Sequence, residues 1–395
     1  MIDTHMQLTG TKAHFISEPE WFTQLRYDAF DHYQTAQPPR FAKVDYADWQ
    51  LGEVTAQPKP FPNLFSQAPK SATSYIYCSL ADALHTHEQL VKHYYLRRAL
   101  TGLTDRLIAY TTAFVNSGSL LFIPAQTKLA NPVKLVIQST PEEEISHHLI
   151  ILGKGAQATI QIQNQPQSRT HKVQRLCEIV LEADSRLTLI NTDAFSANET
   201  VYLNRQAWVG ENAHLNWTIG SFSDGNVIAE MNAELKGRRS KAQINNAAIT
   251  SGTQIQGMNT RVTNFAPHST GKIQQRGVIL DESRLVFNGI GKIVHGAHGT
   301  IAQQENRILM LSDQASGDAN PILLIDENDV EAGHAASVGR LDKKQLYYLM
   351  SRGLPKSVAK RLVVRGFISE VAQSVADKTI RSLFQQTIER KLPHD

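Results

Sequence analysis

The chain has 395 residues, and its 40 basic and 37 acidic side chains leave a formal charge of only +3. This balance, with aromatic residues spread along the chain, argues against nucleic-acid binding and against attraction to a membrane surface. The two cysteines, Cys78 and Cys177, lie far apart, which argues against a disulfide framework and against a zinc site of paired cysteines.

The N-terminus lacks a basic stretch followed by an apolar run, so no signal peptide is predicted. The longest apolar runs, around residues 120–123 and 322–325, are far shorter than the roughly 20 residues that a membrane helix needs. The sequence therefore predicts a soluble protein of the cytoplasm.

Residues 1–118 are predicted to form an N-terminal region of loops and short helices. Prolines and aromatic residues punctuate the first part, where one or two short helices are expected. Ser79 can cap a helical pattern that runs from Leu80 to Tyr94. Thr104 precedes a second pattern, which Gly118 can stop.

From residue 119 to residue 340 the apolar residues recur at every second position, as in the stretch 156–163. This alternation is typical of strands with one buried face. Turn-forming clusters recur roughly every 27 to 30 residues. They are Lys154-Gly155, Ala183-Asp184-Ser185, Gly210-Glu211-Asn212, Gly237-Arg238-Arg239 and Pro267-His268-Ser269.

A regular repeat without helices favours a solenoid, because stacked β coils pair their backbones and share one continuous core. A β-sandwich is the alternative, but it does not require so regular a spacing. The predicted fold is mainly β, with a right-handed parallel β-helix core and small N-terminal and C-terminal helical regions.

The helical period returns in residues 341–395, which are predicted to form a C-terminal helical domain. A capping box at Asp342 and Gln345 opens the first helix, and Gly353 is suited to end it. Pro355 opens a second helix, with Val358, Leu362, Val363 and Phe367 on one side. A third helix carries an apolar stripe of Ile380, Phe384 and Ile388. These helices are expected to cap the solenoid and leave a surface for a partner.

No common catalytic motif is present in the sequence. The Gly-Lys pairs at 271–272 and 291–292 lack the remaining residues of a phosphate-binding loop, and neither a G-x-S-x-G nor an H-E-x-x-H motif occurs. Acidic pairs occur at 281–282 and 326–327, in predicted turns where solvated carboxylates are ordinary. The chain is therefore expected not to be an enzyme, with a β-helical carbohydrate-active enzyme as the alternative.

Three segments, residues 107–135, 268–312 and 322–354, resemble the SufB/SufD family of the SUF iron–sulfur cluster assembly machinery. The third, with ENDVEAGHAASVGRL at its centre, is the most specific. The resemblance implies a β-helical scaffold without catalytic activity. It also implies a SufBCD complex in which SufB and the SufD subunit pair through their β-helices and each holds a SufC ATPase through its C-terminal helices.

Within the family, the sequence favours the SufD branch over a SufB-type cluster scaffold, which stays the alternative. His334 is followed by Ala335, where SufB-like sequences tend to carry Glu, and the chain is short and poor in cysteine. Because the end of a solenoid exposes unpaired strand edges, a homodimer is also expected when the chain is purified alone.

An iron–sulfur cluster usually needs three or four thiolates, with histidine as an occasional substitute. The isolated chain is therefore expected to bind no cofactor, and a transient cluster or iron ion would be shared with SufB. The resemblance points to His334 as the metal or cluster ligand at that interface, although Ala332 stands where some relatives carry a cysteine. The alternative is a hydrogen-bonded structural histidine. His295, His298 and Cys177 are predicted to be structural, with Cys177 a buried and inert thiol.

The resemblance also assigns SufC docking to the C-terminal helices. The alternative for the basic residues is an ordinary solvated helix face. The candidates are Tyr347, Tyr348, Met350, Lys356, Lys360, Arg361, Arg365 and Phe367.

Overall fold

The computed structural model describes residues 18–53, 74–138, 143–165 and 171–392. The helices in these ranges are α1 (Glu20–Tyr33), α2 (Leu80–Thr86), α3 (Glu88–Tyr94), α4 (Arg106–Phe114), α5 (Lys343–Ser351), α6 (Lys356–Ala372) and α7 (Lys378–Lys391), with a 3₁₀ turn at Ala47–Trp49. The strands are β1 (Ile76–Ser79), β2 (Ser117–Ile123), β3 (Val133–Gln138), β4 (Glu144–Leu152), β5 (Gln157–Gln165), β6 (His171–Leu181), β7 (Arg186–Asp193), β8 (Glu199–Val209), β9 (His214–Ser221), β10 (Asn226–Leu235), β11 (Lys241–Thr250), β12 (Ile255–Asn264), β13 (Thr270–Ile279), β14 (Arg284–Ile293), β15 (Thr300–Met310), β16 (Ser316–Ile325) and β17 (Val330–Arg340).

The strands alternate between two sheets, so that each coil of the chain contributes one strand to each. Sheet I has the order β1-β2-β4-β6-β8-β10-β12-β14-β16, and sheet II has the order β17-β15-β13-β11-β9-β7-β5-β3. All pairings are parallel except that β1 runs antiparallel to β2. Paired residues of successive coils lie between 26 positions apart, as in Val201 and Val227, and 32 apart, as in Ile290 and Ile322. The predicted parallel β-solenoid is confirmed, and the β-sandwich is excluded.

The core lies between the two sheets. Inward-facing residues of both sheets, such as Ile150, Leu189, Trp217 and Phe287, form one continuous apolar cluster. The alternating pattern of the sequence is the cause, because every second side chain of a strand points to the same face.

The turns that join the coils stack in register. Gly155, Asp184, Asn212, Arg239 and His268 all adopt the left-handed conformation, with φ between 53° and 69°. Each donates its backbone N–H to a carbonyl of the turn in the next coil, as Asp184 does to Glu211 over 2.8 Å. These residues belong to the five turn clusters that the sequence predicted, and a left-handed turn explains why Gly, Asn and Asp recur there.

The N-terminal helices cover the outer face of sheet I. Apolar residues of α2 and α4 pack against outward-facing residues of the strands, among them Leu149, Leu176 and Tyr202. Of the first 73 residues, only 18–53 are described, and they hold α1 and the 3₁₀ turn. The remainder of that proline-rich stretch lies outside the described residues.

A buried carboxylate fastens this N-terminal layer to sheet I. Glu178 on β6 accepts hydrogen bonds from the backbone N–H of Leu96, at 2.8 Å, and of Leu100, at 3.1 Å. Its Oε1 also lies 3.0 Å from Nε2 of His147 on β4, and both side chains are fully buried. The ring of Tyr95 packs on His147 with 4.1 Å between ring centroids.

The predicted N-terminal helices need two corrections. Ser79 caps as expected, since its hydroxyl accepts from the N–H of Asp82, but the pattern that follows is two helices, with α2 ending before His87. The N-cap residue of the second predicted helix is Asp105, and not Thr104. The Asp105 carboxylate accepts from the N–H of Leu107 at 2.9 Å and of Ile108 at 3.0 Å.

We expect Asp105→Asn to stabilise the protein at neutral pH. Burial raises the pKa of Asp105 from 3.8 to about 6, so ionisation is disfavoured in the folded state. A raised carboxyl pKa means that stability is lost as pH rises from about 4 to about 6, and asparagine caps a helix without that charge. The gain should be about 1 kcal/mol above pH 6 and absent below pH 4. Thermal midpoints measured across this pH range test it, and a gain independent of pH would contradict it.

The C-terminal helices lie on the outer face of sheet II and do not cap the solenoid, so that expectation is wrong. Val364 and Ile368 of α6 and Phe384 of α7 pack on Ile249 and Val278 of the sheet. The reason is that outward positions of β11 and β13 are apolar and need a cover.

The predicted apolar side of α6 is also wrong. Val358 and Leu362 are exposed, while Ala359, Val364 and Ile368 are buried. The predicted stripe of α7 is confirmed, since Ile380, Phe384 and Ile388 are all buried. Among the described helices, none is long and apolar enough to cross a bilayer.

Candidate functional site at the open end of the solenoid

The two ends of the solenoid differ. At the N-terminal end, β1 pairs with β2 and the helices cover sheet I. At the other end, β16 and β17 are the last strands of their sheets, and within the described ranges no strand or helix covers them. Apolar side chains are left exposed there, such as Leu324, with 49% of its surface accessible, and Val338, with 40%.

The open end exposes the interior of the solenoid, not only its rim. Val338 on β17 pairs in register with Ile308 on β15, which belongs to the core between the sheets. Since every second residue of β17 faces the same way, Ala332, His334 and Ala336 share this inward direction. The last coil therefore presents an uncovered core surface, of the kind that another coil normally covers.

His334 lies on this surface. It pairs in register with Gln304, which is buried, but His334 itself is exposed. Across the described part of the chain, no three histidine, cysteine, aspartate or glutamate side chains lie close enough together to hold a metal ion. Within those residues, His334 therefore lacks a complete set of metal ligands around it.

A polar layer that the sequence reasoning missed lies beneath His334. Gln304 donates to the carbonyl of Ile322 over 2.9 Å, and Gln275 donates to Oδ1 of Asn306 over 3.0 Å. Two buried atoms of this layer, Oε1 of Gln304 and Nδ2 of Asn306, have no hydrogen-bond partner among the described residues. The glutamine and asparagine at inward positions of β15 are the sequence feature that could have indicated this polar layer.

A buried charged cluster near the other end was also missed. Arg175 pairs with Glu144, and Arg205 pairs with Asp193, each over 2.6 Å and inside the solenoid. Arginines at inward positions of the alternating pattern of β6 and β8 could have indicated it. Each charge has an opposite partner, which offsets the high cost of burying it.

The structure leaves both cysteine thiols free and shields both at least partly from solvent. Cys177 is buried, as predicted, and burial raises its pKa to about 12. Burial also raises the pKa of Cys78 to about 11. Both side chains are therefore neutral thiols at physiological pH.

Acidic side chains in the predicted turns accept hydrogen bonds from backbone N–H groups. Asp281 accepts from the N–H of Gly252 over 2.8 Å, and Glu327 accepts from the N–H of Gly296 over 2.9 Å. Such contacts hold successive turns together.

A second exposed surface lies on the C-terminal helices. No residue of α5 is buried, and Tyr347 is 74% exposed while Tyr348 is 56% exposed. Met350 is exposed as well, and Val358 and Leu362 of α6 add further exposed apolar side chains. We call Tyr347, Tyr348 and Met350 the α5 patch. Exposed aromatic residues on a small helical segment are typical of a protein-binding surface.

The other docking candidates are divided between solvent and the chain's own contacts. Lys356 is exposed and Lys360 is half-buried. Arg361 and Arg365 both bind Glu389 of α7, at 2.9 Å and 3.0 Å. Phe367 packs against the core under α6, with the guanidinium of Arg276 5.7 Å from its ring centroid. The two arginines therefore fasten α6 to α7, and Phe367 fastens α6 to sheet II.

Comparison of the sequence with known proteins identifies the family. Residues 135–367 match the family described as "SUF system FeS cluster assembly, SufBD core domain", and residues 61–135 match "SufBD protein N-terminal region". The first match covers more than half of the chain, from β3 into α6. The chain belongs to the SufB/SufD family of the SUF iron–sulfur cluster assembly system.

Relatives within the family support the SufD branch. The chain is 35% identical to the iron-sulfur cluster assembly protein SufD of Bacillus subtilis over 80% of its own length and 74% of that protein. It is 23% identical to an iron-sulfur cluster assembly SufBD family protein of Staphylococcus saprophyticus and to one of Staphylococcus aureus. Each of these matches covers 72% of this chain and 62% of the relative, so the chain spans just under two thirds of the staphylococcal proteins.

Proposed function

We propose that this chain is a non-catalytic scaffold subunit of a cytoplasmic SufBCD complex, which pairs with SufB through the open end of its solenoid. The observation that carries the proposal is the uncovered core surface of β16 and β17. A second β-solenoid whose own last strands are unpaired would extend both sheets and bury these side chains. The likeness to a SufD protein supports SufB as that partner.

We expect Val338→Asp to weaken pairing with SufB by at least about tenfold, because it places a charge in a surface that pairing removes from water. The measurement is recovery of SufB after co-expression, followed by the dissociation constant of the purified pair. Val136→Asp is the matched control, since Val136 is 45% exposed on β3 at the opposite end of the same sheet.

Equal loss of pairing in the two variants would contradict the proposed interface. If the wild-type chain recovers no SufB at all, the assignment to a SufBCD complex fails. The chain purified alone should form a homodimer through the same surface, and Val338→Asp should convert this dimer to a monomer.

We further propose that His334 contributes one ligand to an iron ion or a nascent cluster whose other ligands belong to SufB. Its support is its exposure on the pairing surface together with the absence of a complete ligand set in the described part of the chain. A neutral imidazole ligates iron through one nitrogen, so one side chain is enough for a shared site.

We expect His334→Ala to leave the complex with SufB and SufC intact but to reduce anaerobic cluster formation by at least about tenfold, as loss of a metal-supporting side chain does. The measurement is the iron–sulfur absorbance of the reconstituted complex per mole of protein. His295→Ala, an exposed histidine in a turn, is the control. Normal cluster formation in His334→Ala would make the histidine structural.

Docking of SufC is proposed for the α5 patch. Its support is that the three side chains are exposed on a helix with no buried residue. Lys356 and Lys360 are proposed to lie at the rim of this interface. Arg361, Arg365 and Phe367 are expected to act by holding α6 in place.

A further inference from the structure

The outer face of sheet II carries a row of basic residues that the proposed function does not use. Arg186 on β7, His214 on β9 and Lys241 on β11 are register partners, so they stand side by side on adjacent strands. A second row, two residues further along the strands, runs from Thr188 through Asn216 and Gln243 to Lys272. We call these two rows the basic groove.

The groove concentrates positive charge without an internal counter-charge. Among the described residues, no carboxylate lies within 4.0 Å of Arg186, Lys241 or Lys272. Other cations of this chain do have such partners, as Arg276 has in Glu370. The chain as a whole is nearly neutral, so its composition does not explain this local excess.

The surroundings of His214 reflect this excess of charge. Arg186 donates to Nδ1 of His214 over 3.1 Å, so the imidazole accepts as a neutral ring. Partial burial lowers the pKa of His214, and the positive charges of Arg186 and Lys241 lower it further. The groove therefore combines three fixed cations, two in the first row and one in the second, with a neutral imidazole in the first row.

The size and lining of the groove restrict the ligand. It is open to solvent and has a volume of about 490 Å³. Neighbouring residues within a row are separated by the roughly 4.8 Å between strands, and the two rows lie roughly 6.6 Å apart along the strands. Thr188, Asn216 and Gln243 add neutral hydrogen-bonding groups. No phenylalanine, tyrosine or tryptophan side chain lines it.

We propose that the basic groove binds a diphosphate group of a small-molecule ligand. A terminal phosphate carries a charge of about −1.5 to −2 near neutral pH and the linking phosphate adds about one more, so a diphosphate matches the three unpaired cations. Lys241 and Lys272 lie on the adjacent strands β11 and β13, and Arg186 lies two strands from Lys241 on β7, so a diphosphate can contact more than one of these cations at once. Charge-assisted bonds of this kind are the strong ones. This site is separate from the open end and from the α5 patch. The proposal for the basic groove therefore does not depend on the proposed function.

The test is calorimetric titration of the full chain with inorganic pyrophosphate at physiological ionic strength. We expect saturable binding that the double variant Lys241→Gln/Lys272→Gln weakens by at least about tenfold, because two charge-assisted contacts are lost. Lys134→Gln is the matched control, since Lys134 is exposed on the outer face of the same sheet, on β3. It should change the dissociation constant by less than about twofold.

Absence of saturable binding, or equal weakening in Lys134→Gln and in the double variant, would overturn the proposal. Adenosine diphosphate as a second probe separates a free diphosphate from one carried on a nucleoside. Equal affinity for the two probes supports recognition of the diphosphate alone, whereas a large gain from the nucleoside contradicts it. Tighter binding of polyglutamate, lost in the double variant, would reassign the groove to an acidic protein segment.

Discussion

Replacing Glu178 by alanine is expected to destabilise the protein by about 3–5 kcal/mol, because each buried donor left without an acceptor costs about 1–3 kcal/mol. The carboxylate holds His147 at 3.0 Å and accepts from the N–H groups of Leu96 and Leu100. Alanine would leave these groups buried without an acceptor. Because they belong to the N-terminal layer and to sheet I, the layer should detach first.

The measurement is the denaturation midpoint in urea, together with limited proteolysis of the N-terminal layer. Glu182→Ala is the matched control on the same strand end, since Glu182 is half-buried and accepts from the hydroxyl of Tyr94 over 3.0 Å. We expect the control to lose less than about 1.5 kcal/mol. Equal losses in the two variants would show that Glu178 does not fasten the layer.

The double variant Tyr347→Ala/Tyr348→Ala is expected to weaken binding of SufC by at least about a hundredfold. Exposed aromatic residues act as interface anchors that contribute about 2 kcal/mol or more each. Neither side chain is buried in the folded chain, so their loss should leave stability unchanged within about 0.5 kcal/mol. The measurement is the dissociation constant for SufC, with the thermal midpoint of the free chain as the check on folding.

Leu324→Ala provides the control for this second prediction. Leu324 is an exposed apolar residue of similar size, but it lies on β16 and not on the C-terminal helices. It should leave SufC binding unchanged. If Leu324→Ala weakens SufC binding as much as the tyrosine variant does, the α5 patch is not the docking surface. An unchanged affinity in the tyrosine variant would place SufC elsewhere.

The solenoid could be predicted from the sequence because its physical cause is local and repeated. Alternation assigns each side chain of a strand to a face, and the turn clusters fix where each coil ends. Asp184, Asn212 and His268 all occupy left-handed turn positions in the structure. The prediction was wrong where a single residue sets the end of a helix. His87 separates α2 from α3, although the apolar pattern of the sequence continues across it.

The position of the C-terminal helices could not be predicted, because it depends on which surface they cover. The sequence of α6 has apolar residues on more than one side, and both Val363 and Val364 fit a stripe. Only the apolar outer positions of β11 and β13, more than 80 residues earlier in the chain, decide that Val364 is buried. The ion pair of Arg361 with Glu389 could not be predicted for a similar reason, because it depends on how α6 packs against α7.

The candidate site was reached through family resemblance and not through the residue pattern. The inward positions of β17 carry Ala332, Ala336 and Val338, which a covered strand could carry equally well, so the sequence does not reveal that its inner face is open. For the same reason the resemblance selected His334, while the polar layer of Gln304 and Asn306 beneath it went unnoticed. The alternating apolar pattern shows which face of its strand each side chain occupies, but it does not show which coil is the last of the solenoid.

The asymmetry between the covered and the open end of the solenoid has a consequence for the folding of the chain. In a stack of coils, each coil is stabilised by its two neighbours, and the last coil here has only one. Amide hydrogen exchange should therefore advance from β17 inward, with the strands of sheet I beneath the N-terminal helices exchanging last. A partner that binds the open end supplies the missing neighbour. Binding of the partner and stabilisation of the last coil are therefore thermodynamically coupled.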